Sequence, residues 1–219
     1  MDLVCTQKLI FTLTVFFMVS VFGFAASSVH AEAPPNRGYV LQVQMTPAVC
    51  ALDGTRKKQR KCLEGYSLTV DGLVPEMIRT GCETNTSATL APLQAKVVAR
   101  IIPDEIARIQ LWRSVGGCMP MNATQYFRTI TNYAQELKIP VVLTDPNSHS
   151  VAKAGLIKQF VQLNSRLPAD GIVLFCQNSK DITLLTHLNV CYKSDGQYKS
   201  CSSKIVSTCP SHFTIRGIY

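Results

Sequence analysis

Apolar and polar positions alternate in the first patterned segment of the chain. Every second residue from Tyr39 to Met45 is apolar, and Gln42 and Gln44 lie between them. This period of two predicts a strand with one buried face. The segment from Tyr66 to Val70 predicts a second strand, and the glycine and proline within residues 72–75 predict a turn at its end.

The middle of the chain has the spacing of helices. Apolar residues recur three or four positions apart between Leu90 and Ile101, and Pro103 ends or kinks this predicted helix. Asn122 is suited to cap a second helix, whose apolar face begins at Tyr126, and Ser150 is suited to cap a third.

Strand patterns return in the last third of the chain. The run Ile172 to Phe175 predicts a buried strand, Ile182 to Tyr192 predicts a longer one, and residues 195–196 predict a hairpin turn toward Cys201. Strands at both ends with helices between them indicate an α+β domain.

The N-terminal segment has the composition of a secretory signal peptide over residues 1–31. Lys8 precedes an uncharged apolar run from Leu9 to Ala26, and Val29-His30-Ala31 has the small residues of a cleavage site. The alternative is an uncleaved membrane anchor, since 18 apolar-rich residues can just cross a bilayer. Cleavage would leave a single domain, residues 32–219, with no membrane span, and would direct it to the periplasm or the exterior.

Eight cysteines remain after residue 31, and an even number behind a signal peptide indicates four disulfides in an oxidising compartment. Eight cysteines allow 105 pairings, so their spacing alone does not fix the connectivity. No metal site or cofactor is predicted: none of these cysteines form a C-x-x-C pair, and His149, His187 and His212 are not at ligand spacing.

The net charge of +8 favours polyanionic partners such as nucleic acid or acidic membrane surfaces. Five of the six residues at 56–61 are basic: Arg56, Lys57, Lys58, Arg60 and Lys61. The run is either a solvated loop or a patch that attracts phosphates, and no aromatic residue is interleaved in it for base stacking.

Two short segments carry a resemblance to a known family. Val70–Pro75 reads V-D-G-L-V-P and Leu111–Cys118 reads L-W-R-S-V-G-G-C. They resemble the two active-site segments of the ribonuclease T-two family, H-G-L-W-P and H-E-W-x-K-H-G-x-C. The similarity extends over the chain from Tyr39 to Ile215 and is greatest to bacterial periplasmic members.

The resemblance implies an α+β fold with a central antiparallel sheet, several helices and four disulfides. The implied pairs are Cys50–Cys62, Cys82–Cys118, Cys176–Cys209 and Cys191–Cys201.

The catalytic groups of the family are replaced in this chain. The histidine of the first segment corresponds to Asp71 and its tryptophan to Val74; in the second segment the glutamate, lysine and histidine correspond to Leu111, Ser114 and Val115. The family cleaves RNA through attack of the ribose 2′-hydroxyl on phosphorus, which needs a base and an acid. Asp71 is a weak base at neutral pH, and valine carries no proton. Family-type catalysis is therefore not expected.

Leu111, Trp112 and Val115 would form an apolar patch on one helix where polar catalytic groups stood. Either the cleft has filled and become core, or it remains an apolar groove for another ligand or a protein partner.

Three functions follow from these observations. The leading hypothesis is a secreted or periplasmic pseudoenzyme that acts by binding, as a protein-interaction module of the cell envelope or a secretion assembly. A second is a non-cleaving RNA or nucleotide binder, and a third is an endoribonuclease with residual activity that gives cyclic phosphate products. The candidate binding residues are Asp71, Val74, Leu111, Trp112, Val115 and the five basic residues at 56–61.

Overall fold

A single sheet organises the chain. The structure, a computed structural model, describes residues 38–77 and 80–218. The strands are β1 (Tyr39–Met45), β2 (Leu68–Pro75), β3 (His149–Ala152), β4 (Ile172–Ser179), β5 (Ile182–Tyr192) and β6 (His212–Ile215). Their order is β2-β1-β5-β6-β3, with β4 also paired to β5. The expectation of an antiparallel sheet needs one correction, because β5 and β6 pair in parallel where Leu184 lies opposite Thr214. The sheet is therefore mixed.

Short helices connect the strands. They are α1 (Thr46–Leu52), α2 (Arg60–Leu63), α3 (Pro92–Val98), α4 (Glu105–Val115), α5 (Ala123–Glu136) and α6 (Lys153–Leu163). Single 3-10 turns lie at Gly54–Lys58, Gly116–Cys118, Val141–Leu143 and Ala169–Gly171. The architecture is the α+β class predicted from the order of the patterns.

Helix α5 follows its sequence signals closely. The side chain of Asn122 accepts a hydrogen bond from the Gln125 amide at 2.9 Å, and Gln125 Oε1 accepts from the Asn122 amide at 3.0 Å. This capping box satisfies two amides that a helix start leaves without partners. The apolar face then packs in the core, where Tyr126, Phe127 and Ile130 are fully buried. The predicted N-cap at Asn122 is confirmed.

Two local predictions are wrong. Ser150 does not cap a helix, because it lies in β3 opposite Thr214, and α6 begins three residues later at Lys153. Residues 72–75 do not form a turn, because they continue β2 and pair with β1. In both cases the pairing of a neighbouring strand outweighs the local preference for a cap or turn.

The first of the two segments is anchored to α5. The hydroxyl of Tyr126 donates to the Leu73 carbonyl at 2.9 Å and accepts from the Leu73 amide at 3.2 Å. Burial raises the pKa of this phenol well above its usual value. These two bonds fix the backbone of β2 against α5, and the residues next to Leu73 are held in place with it.

Four disulfides are present, and their pairs are those that the resemblance implies: Cys50–Cys62, Cys82–Cys118, Cys176–Cys209 and Cys191–Cys201. Cys82–Cys118 fastens the end of the second segment to the loop that precedes α3. Each bond contributes roughly 2–4 kcal/mol by restricting the unfolded chain.

The described residues all belong to one compact unit, Pro34–Tyr219. Among them, no helix has the length and apolar character needed to cross a bilayer. The predicted signal peptide, residues 1–31, lies outside the described residues.

Candidate functional site

A β-bulge in β2 presents Asp71. Gln42 of β1 lies opposite Gly72 and Val43 lies opposite Val70, so Asp71 has no partner across the strand pair. Bulges of this kind redirect a side chain out of the regular pleat and recur beside functional sites. The Asp71 side chain is 40% exposed and faces a group of polar residues.

Three polar side chains surround the Asp71 carboxylate. His187 Nε2 lies 3.5 Å from Oδ2, Gln44 Nε2 donates to Oδ2 at 3.3 Å, and Lys61 Nζ lies 3.8 Å from Oδ1. Gln44 and His187 are directly opposite each other on β1 and β5, so the sheet register brings them together. We name these residues the Asp71 cluster: Gln44, Lys61, Asp71 and His187.

The Asp71 cluster holds a carboxylate beside an imidazole. Partial burial acts to raise the pKa of Asp71, but the hydrogen bond from His187 and the charge of Lys61 act against it and hold the pKa below its usual value. Burial also lowers the pKa of Lys61, with Asp71 opposing that shift. Asp71 is therefore an anion at neutral pH.

The glutamine of the cluster also contacts one ring nitrogen of His187. Gln44 Nε2 lies 3.1 Å from His187 Nε2 and can donate to it when that nitrogen carries no proton. A protonated Nε2 would instead donate to Asp71. Gln44 is fully buried, and its Oε1 has no hydrogen-bond partner among the described residues.

The five basic residues at 56–61 differ in their partners and in their exposure. Arg56 pairs with Asp53 at 2.9 Å, and Arg60 pairs with Glu64 at 2.5 Å. Lys61 is buried and turned toward Asp71, whereas Lys57 and Lys58 are exposed. The two arginines therefore each have a carboxylate partner, and the possibility of a phosphate-attracting patch rests mainly on the three lysines.

A cavity of about 330 Å³ lies next to the Asp71 cluster. Its walls include Lys57, Lys61 and Arg216, together with Tyr66 and the Cys50–Cys62 disulfide. The fold thus adds to the basic run a third cation and an aromatic ring that are distant in the sequence. We name this the basic pocket.

The second segment has become part of the core. Trp112 and Val115 are buried, and Leu111 packs so closely on Gly72 that a Cβ at that glycine would lie 2.7 Å from Leu111 Cδ1. Val74 is half-buried against the same core. Ser114 is exposed and bonds only to the Leu111 carbonyl, at 2.8 Å. Of the two alternatives for the former cleft, the filled one agrees with this packing.

Sequence reasoning missed two members of the cluster. The sequence pattern gives Gln44 only as a polar position of a strand, and His187 only as a histidine that is not at metal-ligand spacing. His187 does have partners, and one of them is Asp71. The signal available in the sequence was weak, since the two residues are 143 positions apart. Among the described residues, no group of three or more His, Cys, Asp or Glu side chains is arranged to hold a metal ion.

Solved structures provide the comparison, since no protein-family model matches the chain and no curated protein sequence does. A variant of RNase MC1, a bitter gourd seed ribonuclease, in complex with 5′-UMP superposes with a TM-score of 0.63 at 16% identity, over 80% of this chain and 96% of that chain. Trichomaglin, an S-like ribonuclease, gives 0.63 at 16%, over 83% and 98%. The SF11-RNase of Nicotiana alata gives 0.60 at 15%, over 80% and 95%. The fold of this chain is therefore that of the ribonuclease T-two proteins.

Proposed function

We propose that the protein binds single-stranded RNA or nucleotides at the basic pocket and has lost the cleavage chemistry of its fold. The observation that carries this proposal is the position of Lys61. Lys61 is buried and its ammonium group lies 3.8 Å from the Asp71 carboxylate, and the residue lines a cavity that is also lined by Lys57 and Arg216. Three cations around one cavity favour a phosphate, and Tyr66 offers a ring on which a base can stack.

The packing of the second segment supports loss of family-type cleavage. Transphosphorylation needs an acid on the far side of the phosphate from the base, and Leu111 and Val115 occupy two positions that the resemblance aligns with ionisable groups of the family. Both are apolar and packed in or against the core. The leading hypothesis from the sequence is a protein partner that binds in an open apolar groove. It loses support because Leu111 and Val115 are packed against or in the core.

Two further observations support the proposal. The solved structures with this fold include RNase MC1 variants in complex with 5′-UMP and with 5′-GMP. Four disulfides favour an oxidising compartment, which agrees with a secreted or periplasmic protein.

The Lys57→Gln/Arg216→Gln double variant tests the basic pocket. Removal of two phosphate contacts should make the slope of log affinity against log salt shallower by about 1.4, since each contact to a single strand contributes about 0.7. We expect the affinity for a labelled single-stranded RNA to fall about tenfold or more near 50 mM salt. Fluorescence anisotropy across a salt series measures both quantities.

The matched control is the Arg128→Gln/Lys158→Gln double variant. Both residues are exposed, one on α5 and one on α6, and neither lines the basic pocket. Their substitution removes the same total charge as the Lys57→Gln/Arg216→Gln variant. The control should bind RNA nearly as well as the unmodified protein. Equal losses in the two double variants, or no RNA binding by the unmodified protein near 50 mM salt, would refute the proposal.

A second candidate function, residual endonuclease activity, is favoured by one contact, the 3.5 Å approach of His187 Nε2 to Asp71. An imidazole held by a carboxylate can take the proton of a 2′-hydroxyl that attacks phosphorus, Lys61 can stabilise the charge that builds on the phosphate, and water can protonate the leaving 5′ oxygen. If this candidate is correct, purified protein makes cyclic phosphate ends slowly, and His187→Ala lowers kcat by about 10²–10⁴-fold with little change in RNA affinity. Chromatography of the products measures the rate.

The control for this activity is His212→Ala, which removes an exposed histidine of β6. Turnover that survives both His187→Ala and Asp71→Ala would come from a contaminating nuclease, and the second candidate would then be discarded.

A further inference from the structure

A second polar cavity, of about 250 Å³, lies against helix α4. One wall is the helix face Glu105, Arg108, Ile109 and Arg113, and the other is the loop from Asn85 to Leu90. The spacing of the helix residues, three, four and eight positions from Glu105, places them on one side of the helix. Neither RNA binding at the basic pocket nor the Asp71 cluster uses these residues.

Arg108 is the unusual residue of this cavity. It is only 8% exposed, and its Nη1 donates to the carbonyls of Ile102 and Pro103 at 2.8 and 3.2 Å. Within residues 38–77 and 80–218, no carboxylate forms an ion pair with it. A buried cation that is bonded only to neutral carbonyls raises the free energy of the folded state, because it loses its hydration and no opposite charge compensates for that loss. An anion in the cavity would supply that charge.

The facing loop is held in place and rich in hydroxyl groups. Its Thr86 hydroxyl accepts from Trp112 Nε1 at 3.1 Å, and the Thr84 amide donates to the Arg113 carbonyl at 2.8 Å. Ser87 and Thr89 are hydrogen-bonded to each other at 2.8 Å, so their hydroxyls occupy fixed positions beside the cavity. A site fixed in advance in this way loses little entropy when a ligand binds.

We propose that this cavity binds the phosphate group of a small molecule, with Arg108 and Arg113 as the cations and the loop hydroxyls as further hydrogen-bond partners. Arginine suits the task because its planar group donates two parallel bonds to phosphate oxygens. Glu105 is also in the lining and limits the net positive charge. The site should therefore take one phosphate group and not a run of phosphates, which separates it from the basic pocket.

The protein contains its own probe for this site. The single tryptophan of the chain is Trp112, and its ring nitrogen is bonded to Thr86 of the loop. Inorganic phosphate added to the disulfide-bonded protein should change the tryptophan fluorescence in a saturable way. Sodium chloride at matched ionic strength should not. We expect saturation below a concentration on the order of 10 mM, the range of weak single-anion sites.

Variants of the two arginines test the assignment. Arg113→Gln should weaken phosphate binding about tenfold, the usual value of one charge-assisted hydrogen bond. Its side chain is exposed, so the fold should survive, whereas Arg108→Gln needs a check by circular dichroism. Arg128→Gln, exposed on α5, is the control and should bind phosphate normally.

Two results would overturn the proposal. One is a fluorescence response to phosphate that does not saturate or that equals the response to chloride. The other is saturable binding that Arg113→Gln leaves unchanged. RNA binding is measured separately: if the unmodified protein binds no RNA while Arg113→Gln still weakens its saturable phosphate binding, the basic-pocket proposal fails and this one does not.

Discussion

Introduction of the four residues that the resemblance implies for the family at these positions, Asp71→His, Leu111→Glu, Ser114→Lys and Val115→His, is expected to give an unstable protein without ribonuclease activity. Val115 is only 8% exposed, and an imidazole there would lose water without gaining a partner. A carboxylate at Leu111 would replace the side chain that packs on Gly72. Together these changes should lower the free energy of unfolding by about 3–6 kcal/mol.

Urea unfolding followed by Trp112 fluorescence measures the stability, and cleavage of a short RNA to cyclic phosphate ends measures the activity. Ser114→Lys alone is the control, because Ser114 is exposed and surface changes usually stay within about 0.5 kcal/mol. A restored variant as stable as the parent and active on RNA would mean that the cleft is still open and shaped for a substrate.

The elements with strong periods could be predicted from the sequence. The strand at Tyr39–Met45 and the long strand at Ile182–Tyr192 have the bounds that their apolar patterns indicated. Helix α5 begins where Asn122 and Gln125 form its cap. Such elements are local, since a period of two or a capping pair depends only on neighbours in the chain.

The elements that depend on a partner could not be predicted. Residues 72–75 have the composition of a turn, yet they extend β2 because β1 lies beside them. Ser150 has a side chain that is suited to capping a helix, yet its backbone lies in β3, which pairs with β6. In each case hydrogen bonds to a distant segment outweigh a local preference of less than about 1 kcal/mol.

Some residues of the candidate site could be predicted from the sequence and others could not. Asp71 could be predicted because the glycine, leucine and proline after it fix the register of the first segment. His187 and Gln44 could not, since their contact depends on the pairing of β1 with β5. Composition also could not tell which basic residue between 56 and 61 is buried, because that depends on where α2 lies relative to β2. The position of Lys61 beside Asp71 is thus a property of the fold and not of the run.

Removal of the carboxylate at Glu76 is expected to destabilise the protein by about 3–5 kcal/mol. The Glu76 side chain is 2% exposed; it accepts hydrogen bonds from the Lys199 ammonium and, at 2.7 Å, from the Ser202 amide. These contacts tie the end of β2 to the segment held by the Cys191–Cys201 disulfide. Glu76→Ala would leave the largely buried Lys199 without its counter-charge, and that is the costliest way to break an ion pair.

Glu64→Ala is the matched control, because it removes the same side chain from an exposed pair with Arg60. Exposed pairs contribute about 1 kcal/mol or less, so urea unfolding should separate the two variants clearly. Addition of Lys199→Met to Glu76→Ala should recover part of the loss, because the unpaired charge is then removed as well. If Glu76→Ala costs no more than Glu64→Ala, the ion pair does not hold the end of β2, and the Asp71 strand is anchored by its other contacts, which include Tyr126 and the β1 pairing.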